Sequence, residues 1–183
     1  MPKQPVIHHR REVARSRLFH IEELDITFSN GVEVQYERLV PRGCGAVIVV
    51  PFQDPETVLL IREFSAGSER YELALPKGKM EAGEDPTQAA NREMAEEIGF
   101  TAQALTHLTD LSVAPGYMRH VTHLVLAEGL SPAHAEGDEP EPLEIVPWRL
   151  DQLLALGLGE DCTEARSLAA LYLARDYIVN RNR

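Results

Sequence analysis

The stretch from Gly78 to Phe100 constrains the fold of this 183-residue chain more than any other. A glycine-bounded loop leads into Asp85-Pro86, which combines an N-cap acceptor with a proline suited to the first helical turn. We predict about three turns of helix from Thr87 to Ile98, ended by Gly99. The chain must therefore fold around one loop and the helix that directly follows it.

Glutamates share one face of this predicted helix. Glu93, Glu96 and Glu97 stand at i, i+3 and i+4, so their side chains crowd together and repel one another. A hard divalent cation such as Mg²⁺ prefers oxygen ligands and can also bridge to a substrate phosphate. The spacing therefore predicts a metal site on this face.

Arg92 directly precedes the glutamates and can connect the helix to the loop. Its guanidinium can reach back toward Glu81 or Glu84, and the sequence leaves both partners open. The competing interpretation is an acidic helix face that is simply solvated, because most runs of charged residues lie on the surface without a specific function. The glycine and arginine spacing around the glutamates favours a site.

The segment resembles the Nudix box, G-x5-E-x7-R-E-U-x-E-E-x-G-U, in which U is a bulky apolar residue. The chain fills each fixed position: Gly78, Glu84, Arg92, Glu93, Met94, Glu96, Glu97, Gly99 and Phe100. The resemblance implies hydrolysis of a nucleoside diphosphate linked to another group. It implies that Glu93, Glu96 and Glu97 bind Mg²⁺, with Mn²⁺ as the alternative. Glu84 and Arg92 would hold these ligands, which makes both residues, together with Glu97, candidates for a catalytic role.

The overall composition fits one soluble domain with a small appendage. No apolar run approaches the ~20 residues that span a bilayer, and the amino terminus does not resemble a signal peptide. Cys44 and Cys162 cannot form a disulfide framework. The net charge of −11 argues against a nucleic-acid partner, because phosphate backbones are held by surplus Lys and Arg. We expect a cytoplasmic protein that binds neither nucleic acid nor membrane.

The amino-terminal part, residues 1–42, predicts a β-hairpin subdomain, followed by a Nudix hydrolase domain over residues 43–183. Residues 1–20 are basic and are expected to be irregular. Apolar residues alternate over 18–28 and again over 32–39, with a Ser-Asn-Gly turn between them. Because an isolated hairpin is marginal in water, this one must pack on its own domain or on a second subunit.

The remainder of the chain combines strands with a few helices. We predict strands at 44–52, 57–64, 71–75, 104–112, 120–127 and 143–148, and further helices at 150–156 and 163–180. Strands on both sides of a central helix predict an α/β protein with a mixed sheet clasped between helices. From Cys44 onward the order of elements resembles the Nudix α/β/α sandwich.

Hydrolysis also needs a base, and a late acidic loop supplies candidates. A free glutamate has a pKa of ~4.3 and is ionised at neutral pH, ready to accept a proton. The resemblance to the ADP-ribose-cleaving branch implies a base from the segment EGDEPEPLE, in which Glu139 is the best match. Glu136, Glu141 and a base within the box remain open, as does a solvated loop without function.

Features outside the box bear on the substrate. Pro115 follows Phe100 by fifteen residues, where a proline resembles the mark of the ADP-ribose pyrophosphatase subgroup. Several further stretches resemble ADP compounds hydrolases of the NudE type: ARSRLF, FSNG, YER, IREF, GSERYEL and GDEPEP. This resemblance implies cleavage of ADP-ribose, NADH and short diadenosine polyphosphates, with release of AMP.

The substrate contacts are less clearly indicated. Ser65 stands where the branch often has arginine, and Lys77 stands within Leu-Pro-Lys-Gly where the branch tends to have Leu-Pro-Ala-Gly. Arg62 and Lys77 are candidates for contact with the substrate phosphates, and Tyr117 is a candidate for stacking on adenine. Pro115 is a further candidate for substrate contact.

The branch commonly forms homodimers in which the amino-terminal strands reach the partner. The predicted hairpin fits that arrangement, and Arg38 and Arg42 would then contribute to a shared cleft.

Other interpretations stay open. The chain could be a Nudix hydrolase of other nucleotides, such as longer diadenosine polyphosphates or nucleotide sugars. It could also be a non-catalytic module that binds ADP-ribose, although such modules usually have a degraded box. A structural Ca²⁺ site at 136–144 would lack the oxygen spacing of an EF-hand. Among the histidines there is no HExxH or H-x-x-x-H pattern, and His120 and His123 are not expected to share a metal.

Overall fold

The structure is a computed structural model that describes residues 3–41, 43–137 and 139–181. Its strands form one sheet of three strands and one of seven. The three-stranded sheet is antiparallel and consists of β1 (Val6–Arg15), β2 (His20–Thr27) and β3 (Glu33–Val40), in that order. The predicted hairpin is thus confirmed as β2 and β3.

The expectation that residues 1–20 are irregular is wrong for β1. Side chains along β1 are exposed throughout, so the strand has no apolar alternation that a sequence could reveal. It is held instead by main-chain pairing with β2 and by side-chain contacts such as the ion pair between Arg11 and Glu23. His8 also bonds Thr27 Oγ1 at 2.8 Å. The basic character of this segment therefore serves its pairing with the acidic strand β2.

The seven-stranded sheet is mixed. Its strands are β4 (Ala46–Asp54), β5 (Thr57–Ser65), β6 (Arg70–Ala74), β7 (Lys77–Lys79), β8 (Phe100–Leu111), β9 (Thr122–Pro132) and β10 (Glu144–Arg149). Their order in the sheet is β10-β5-β4-β9-β8, with β6 beside β5 and β7 beside β4. β4 and β9 are parallel, and the other strand pairs of the described residues in this sheet are antiparallel. The helices are α1 (Pro86–Glu97), α2 (Leu153–Leu158), which follows a 3₁₀ turn at Leu150–Gln152, and α3 (Ala165–Arg181).

Helices cover both faces of this sheet. On one face α1 packs Ala90 and Met94 against the sheet, in a core shared with Val49 and Val125. On the other face α2 and α3 pack against the alternate residues of the same strands, including Ile48. Residues 46–52 of β4 are accordingly apolar without interruption, as a stretch buried on both faces must be. The α/β/α sandwich with a mixed sheet is confirmed.

Some boundaries differ from the sequence-based prediction. β7 was expected to be loop, since Lys-Gly-Lys carries no strand signal, yet it pairs with the start of β4. β8 begins at Phe100, directly after the helix, and β9 extends to Pro132. These extensions are only partly buried, so their apolar alternation is weak.

The amino-terminal sheet is tied to the sandwich through the end of β3. Leu39 donates its N–H to the Tyr117 carbonyl at 2.8 Å, and Arg119 N–H donates to the Leu39 carbonyl at 2.9 Å. Among the described residues, no helix combines the length and apolar character needed to cross a membrane.

Candidate active site

A capping box fixes the start of α1. The Asp85 carboxylate accepts the backbone N–H groups of Thr87 at 2.8 Å and Gln88 at 3.0 Å, and the Gln88 side chain accepts the Asp85 N–H at 3.1 Å. Pro86 occupies the first turn, and Gly99 follows the helix with a φ of +72° that favours glycine. The predicted helix is therefore confirmed, and its caps set the direction in which the glutamates project.

Gly78 lets β7 pass directly beneath the helix. A Cβ atom at this position would lie 2.1 Å from the Glu93 carboxylate, so no larger residue fits without displacing that side chain. Next to it, the Lys77 N–H donates to Glu97 Oε2 at 3.0 Å. Pairing between β7 and β4 thus carries the loop backbone against two of the three glutamates.

Arg92 joins the loop to the helix, and its partner is Glu84. Nε and Nη2 of Arg92 donate to the two Glu84 oxygens at 2.8 and 3.0 Å. Its Nη1 donates to Glu93 at 2.9 Å and to Glu96 at 3.0 Å, while Nη2 also donates to the Lys79 carbonyl at 2.9 Å. These hydrogen bonds hold the pKa of Glu84 below its usual range and raise that of Arg92. One guanidinium therefore orders three box carboxylates.

Glu97 has the opposite electrostatic environment. Burial raises its pKa to about 8, and the charges of Glu93 and Glu63 add to this effect, although Lys77 opposes it. Glu97 lies beside other carboxylates and is hard to ionise in the absence of a cation. A divalent cation bound there would supply positive charge and stabilise the ionised form. The oxygen-only donor set of Glu93, Glu96 and Glu97 suits a hard cation.

The box glutamates and the late acidic loop line the same cavity. Its volume is about 760 Å³, and its lining includes all three of the predicted metal ligands. Glu136, Gly137 and Glu139 line it as well. Glu141 faces elsewhere and accepts a hydrogen bond from Tyr71 at 2.5 Å, while Asp138 lies outside the described residues. The structure thus brings two of the three loop candidates for the base to the box.

Of the predicted substrate contacts, Lys77 lies in this cavity. Its Nζ donates to Glu63 Oε2 at 2.5 Å, so the ammonium stands between the cavity and strand β5. Arg62 is not among the residues that line the cavity, and its Nε donates to Glu144 across the β5–β10 pair at 2.9 Å.

Arg38, Pro115 and Tyr117 do not line this cavity within one copy of the chain. Arg38 forms a cross-strand ion pair with Glu22, through bonds of 3.0 and 2.7 Å. Pro115 and Tyr117 are exposed on the loop that contacts β3, and neither lines the cavity. Arg42 lies outside the described residues.

A second cavity, of about 400 Å³, adjoins the first through Lys77, which lines both. It is lined by Glu63, Phe64, Ser65, Ala66, Glu72, Ala74, Lys77, Thr163, Glu164 and Arg166. Sequence reasoning had not assigned Phe64 or Arg166 to a site, because they come from β5 and from the start of α3 and meet only in the folded chain. The exposure of the Phe64 ring is a property of the folded chain and could not be read from the sequence.

Comparisons with known proteins agree with this geometry. The NUDIX domain family matches residues 44–169, and the NudE-type Nudix hydrolase N-terminal domain matches residues 5–38. The chain is 45% identical to the ADP compounds hydrolase NudE of Escherichia coli K12 over 99% of this chain and 97% of that protein. It is 30% identical to the ADP-ribose pyrophosphatase of Bacillus subtilis strain 168 over 88% and 90% of the two chains. A crystal structure of an ADP compounds hydrolase superposes with a TM-score of 0.90 at 44% identity, covering 100% of this chain and 98% of that one.

The fold and the family matches define a hydrolase of a class that generally uses a divalent metal. This chain belongs to the Nudix hydrolase family, and its amino-terminal sheet is of the NudE type.

Proposed function

We propose that the protein is a Mg²⁺-dependent pyrophosphohydrolase that cleaves ADP-linked compounds and releases AMP. ADP-ribose, NADH and short diadenosine polyphosphates are the proposed substrates. The observation that carries the proposal is the cluster of Glu93, Glu96 and Glu97, which lines one cavity with Glu139. Arg92 donates to Glu93 and Glu96, and the Lys77 N–H donates to Glu97. The names of the two relatives, which refer to ADP compounds and to ADP-ribose, support this substrate class.

The three glutamates would hold Mg²⁺, and the Lys77 carbonyl is a further candidate ligand. When bound, the cation neutralises phosphate oxygens and makes coordinated water more acidic. Arg92 and Glu84 act through the ligands, because they fix the orientation of Glu93 and Glu96. Glu139, across the cavity, would accept the proton of the attacking water.

The second cavity offers a place for one end of the substrate. A diphosphate bound at the glutamates would lie near Lys77, whose ammonium can pair with a phosphate oxygen in place of Glu63. Phe64 lines the adjoining cavity and presents an exposed ring on which a nucleobase can stack. A substrate spanning both cavities would therefore be a nucleoside diphosphate joined to a second group.

We further infer a homodimer built through the amino-terminal sheet. Several large apolar side chains stand exposed on this sheet, including Val6, Val13 and Tyr36, and contact with a second subunit would cover them. In such a dimer the cleft of the partner would receive three of the predicted substrate contacts, Arg38, Arg42 and Tyr117. Two others, Arg62 and Pro115, would contact the substrate bound to their own chain. Sedimentation velocity at micromolar concentration should show a dimer, and a monomeric mass would count against this arrangement.

A direct assay tests the function. The purified protein is incubated with ADP-ribose, NADH and diadenosine triphosphate, each with Mg²⁺ or EDTA, beside the variant Glu97→Gln. We expect AMP release that requires Mg²⁺ and is lost in the variant. Binding of ADP-ribose without turnover of any substrate would instead indicate a sensor module.

We also infer that the protein is cytoplasmic, because the proposed substrates are intracellular compounds.

A further inference from the structure

A second group of metal-ligating side chains lies outside the acidic cavity, on the β8–β9 pair. His107 Nε2 is 2.8 Å from Asp110 Oδ1, and His123 Nδ1 is 2.6 Å from the same oxygen. Donor atoms of the three residues all lie within 4.8 Å of one another. The two imidazole rings stand edge to face, with centroids 5.4 Å apart. Two nitrogen donors and one oxygen donor therefore converge on one point.

A β-bulge creates this convergence. Asp110 pairs directly with His123, whereas His107 pairs with Val125, and the register shifts between His107 and Thr109. In a regular strand, residues three apart face opposite sides. The extra residue of the bulge cancels that alternation and brings His107 and Asp110 to one face.

The packing of neighbouring residues confirms the change of face. Leu105 packs on the α1 side of the sheet, while Leu108 and Leu111, which are three residues apart, both pack on the α3 side. His107 and Asp110 therefore both project toward the α1 side. Val125 belongs to the α1-side core, which places His123 on that side too. The sequence shows no sign of the bulge, so the histidine spacing gave no warning of the cluster.

We propose that His107, Asp110 and His123 form a binding site for a borderline divalent cation of the Zn²⁺ class. Imidazole nitrogen combined with one carboxylate is a donor set that Zn²⁺ uses in proteins. Tetrahedral ligands at the usual Zn–N distance stand about 3.3 Å from one another. The present separations of 2.6 and 2.8 Å would need to open only slightly to admit the ion.

Exposure and charge both favour such a site. The side chains of His107 and Asp110 are 40% and 53% exposed, so the cation has a path from solvent and room for water as a further ligand. Burial alone would raise the pKa of Asp110, but hydrogen bonds with His123 and His107 bring it below its usual range. The Asp110 carboxylate is therefore ionised at neutral pH. A bound cation would take the place of the imidazole N–H protons whose hydrogen bonds this carboxylate now accepts.

The cation would have a structural role distinct from hydrolysis. β8 lies at the edge of the seven-stranded sheet, and the three residues join it to β9 at the bulge. Binding would fasten this edge at the point where the regular ladder is interrupted. It would therefore raise resistance to unfolding.

Selectivity separates this site from the acidic cavity. The box offers carboxylate oxygens, which hard Mg²⁺ prefers, whereas the new cluster offers imidazole. Zn²⁺ is therefore titrated into the full chain in buffer that already contains millimolar Mg²⁺, by isothermal calorimetry and by competition with a chromophoric chelator. Thermal unfolding is recorded with and without Zn²⁺.

We expect one Zn²⁺ site that Mg²⁺ does not abolish, together with a higher unfolding midpoint in Zn²⁺. His107→Ala and His123→Ala should each weaken Zn²⁺ binding at least tenfold and remove the midpoint shift. Asp110→Asn, nearly isosteric, should do the same while keeping the fold, as circular dichroism would show. His120→Ala is the matched control, since His120 lies nearby in sequence but outside the cluster, and it should bind Zn²⁺ like the parent.

Zn²⁺ binding that is unchanged in His107→Ala and His123→Ala would overturn the proposal. So would binding that Mg²⁺ displaces, or that only Glu97→Gln removes, because it would then belong to the acidic cavity. Absence of Zn²⁺ binding by the parent chain would also overturn it and leave a hydrogen-bonded His–Asp–His cluster.

Discussion

Glu72 and Glu97 are both withdrawn from solvent, yet their surroundings shift their pKa values in opposite directions. Glu72, on β6, accepts hydrogen bonds from Ser68, from the hydroxyl and N–H of Thr163 at 2.7 and 3.0 Å, and from Arg70 at 3.2 Å. These bonds outweigh burial and lower its pKa from 4.5 to about 2. This carboxylate is fully satisfied within the protein.

Glu97 has less compensation from its own chain. Its Oε2 accepts one backbone N–H, from Lys77, while Glu93 and Glu63 place further negative charge nearby. Burial raises its pKa to about 8. The comparison distinguishes a carboxylate that stabilises the fold from one that awaits a ligand. An ionisable group that its own chain satisfies only in part is a candidate for the functional site.

Glu97→Gln should have the largest effect. The amide keeps the size of the side chain but removes a charged metal ligand, so we expect kcat/KM to fall on the order of 10³-fold. The unfolding midpoint without metal should change little, because a carboxyl with a pKa of about 8 is largely protonated at pH 7 and the neutral amide replaces it at nearly the same size. Steady-state AMP release and thermal unfolding measure the two effects, with exposed Glu160→Gln as the control. Retained activity would show that Glu97 is not a ligand.

Gly78→Ala tests the close approach of β7 to the helix. The new Cβ would meet the Glu93 carboxylate at 2.1 Å and push a metal ligand aside. We expect a loss of about 10- to 100-fold in activity, accompanied by a higher Mg²⁺ requirement. Gly67→Ala is the matched control, since a Cβ there meets nothing within 4 Å, and it should leave both values unchanged. Equal behaviour of the two variants would contradict the tight packing.

Glu72→Gln sharpens the structural side of the comparison. Loss of charge-assisted hydrogen bonds in a residue only 6% exposed should lower the free energy of unfolding by about 1–3 kcal/mol at pH 7. Because folding lowers the pKa of Glu72, its contribution is complete above pH 4.5 and is lost as the pH falls toward 2. Urea denaturation across this pH range should show that the unfolding free energies of the parent and the variant become equal at the acidic end. A difference that stays constant with pH would assign the effect to packing.

Local sequence accounts for the box but not for its surroundings. The helix from Pro86 to Glu97, its cap and the convergence of its glutamates follow from spacing within one segment. β4 was predictable from its unbroken apolar run. The choice of Glu84 over Glu81 as the partner of Arg92 was not, because both lie within reach along the loop.

Contacts between distant segments lay beyond sequence reasoning. Glu72 and Thr163 are 91 residues apart, and nothing in either local pattern predicts that they meet. β1 is exposed along its whole length and mostly polar, and its pairing with β2 depends on main-chain bonds that a hydrophobic pattern does not reveal. The shared face of His107 and Asp110 likewise depends on one inserted residue.

Mg²⁺ binding followed by isothermal calorimetry at pH 7 tests the central claim most directly. The parent chain, Glu97→Gln and Glu72→Gln are titrated in two buffers of different ionisation enthalpy. We predict that the parent and Glu72→Gln bind Mg²⁺ and release protons, because the pKa of Glu97 is about 8 before the cation binds. Glu97→Gln should bind much more weakly and release none. Equal Mg²⁺ affinity in the parent and in Glu97→Gln would contradict the assignment of the box glutamates as the metal site.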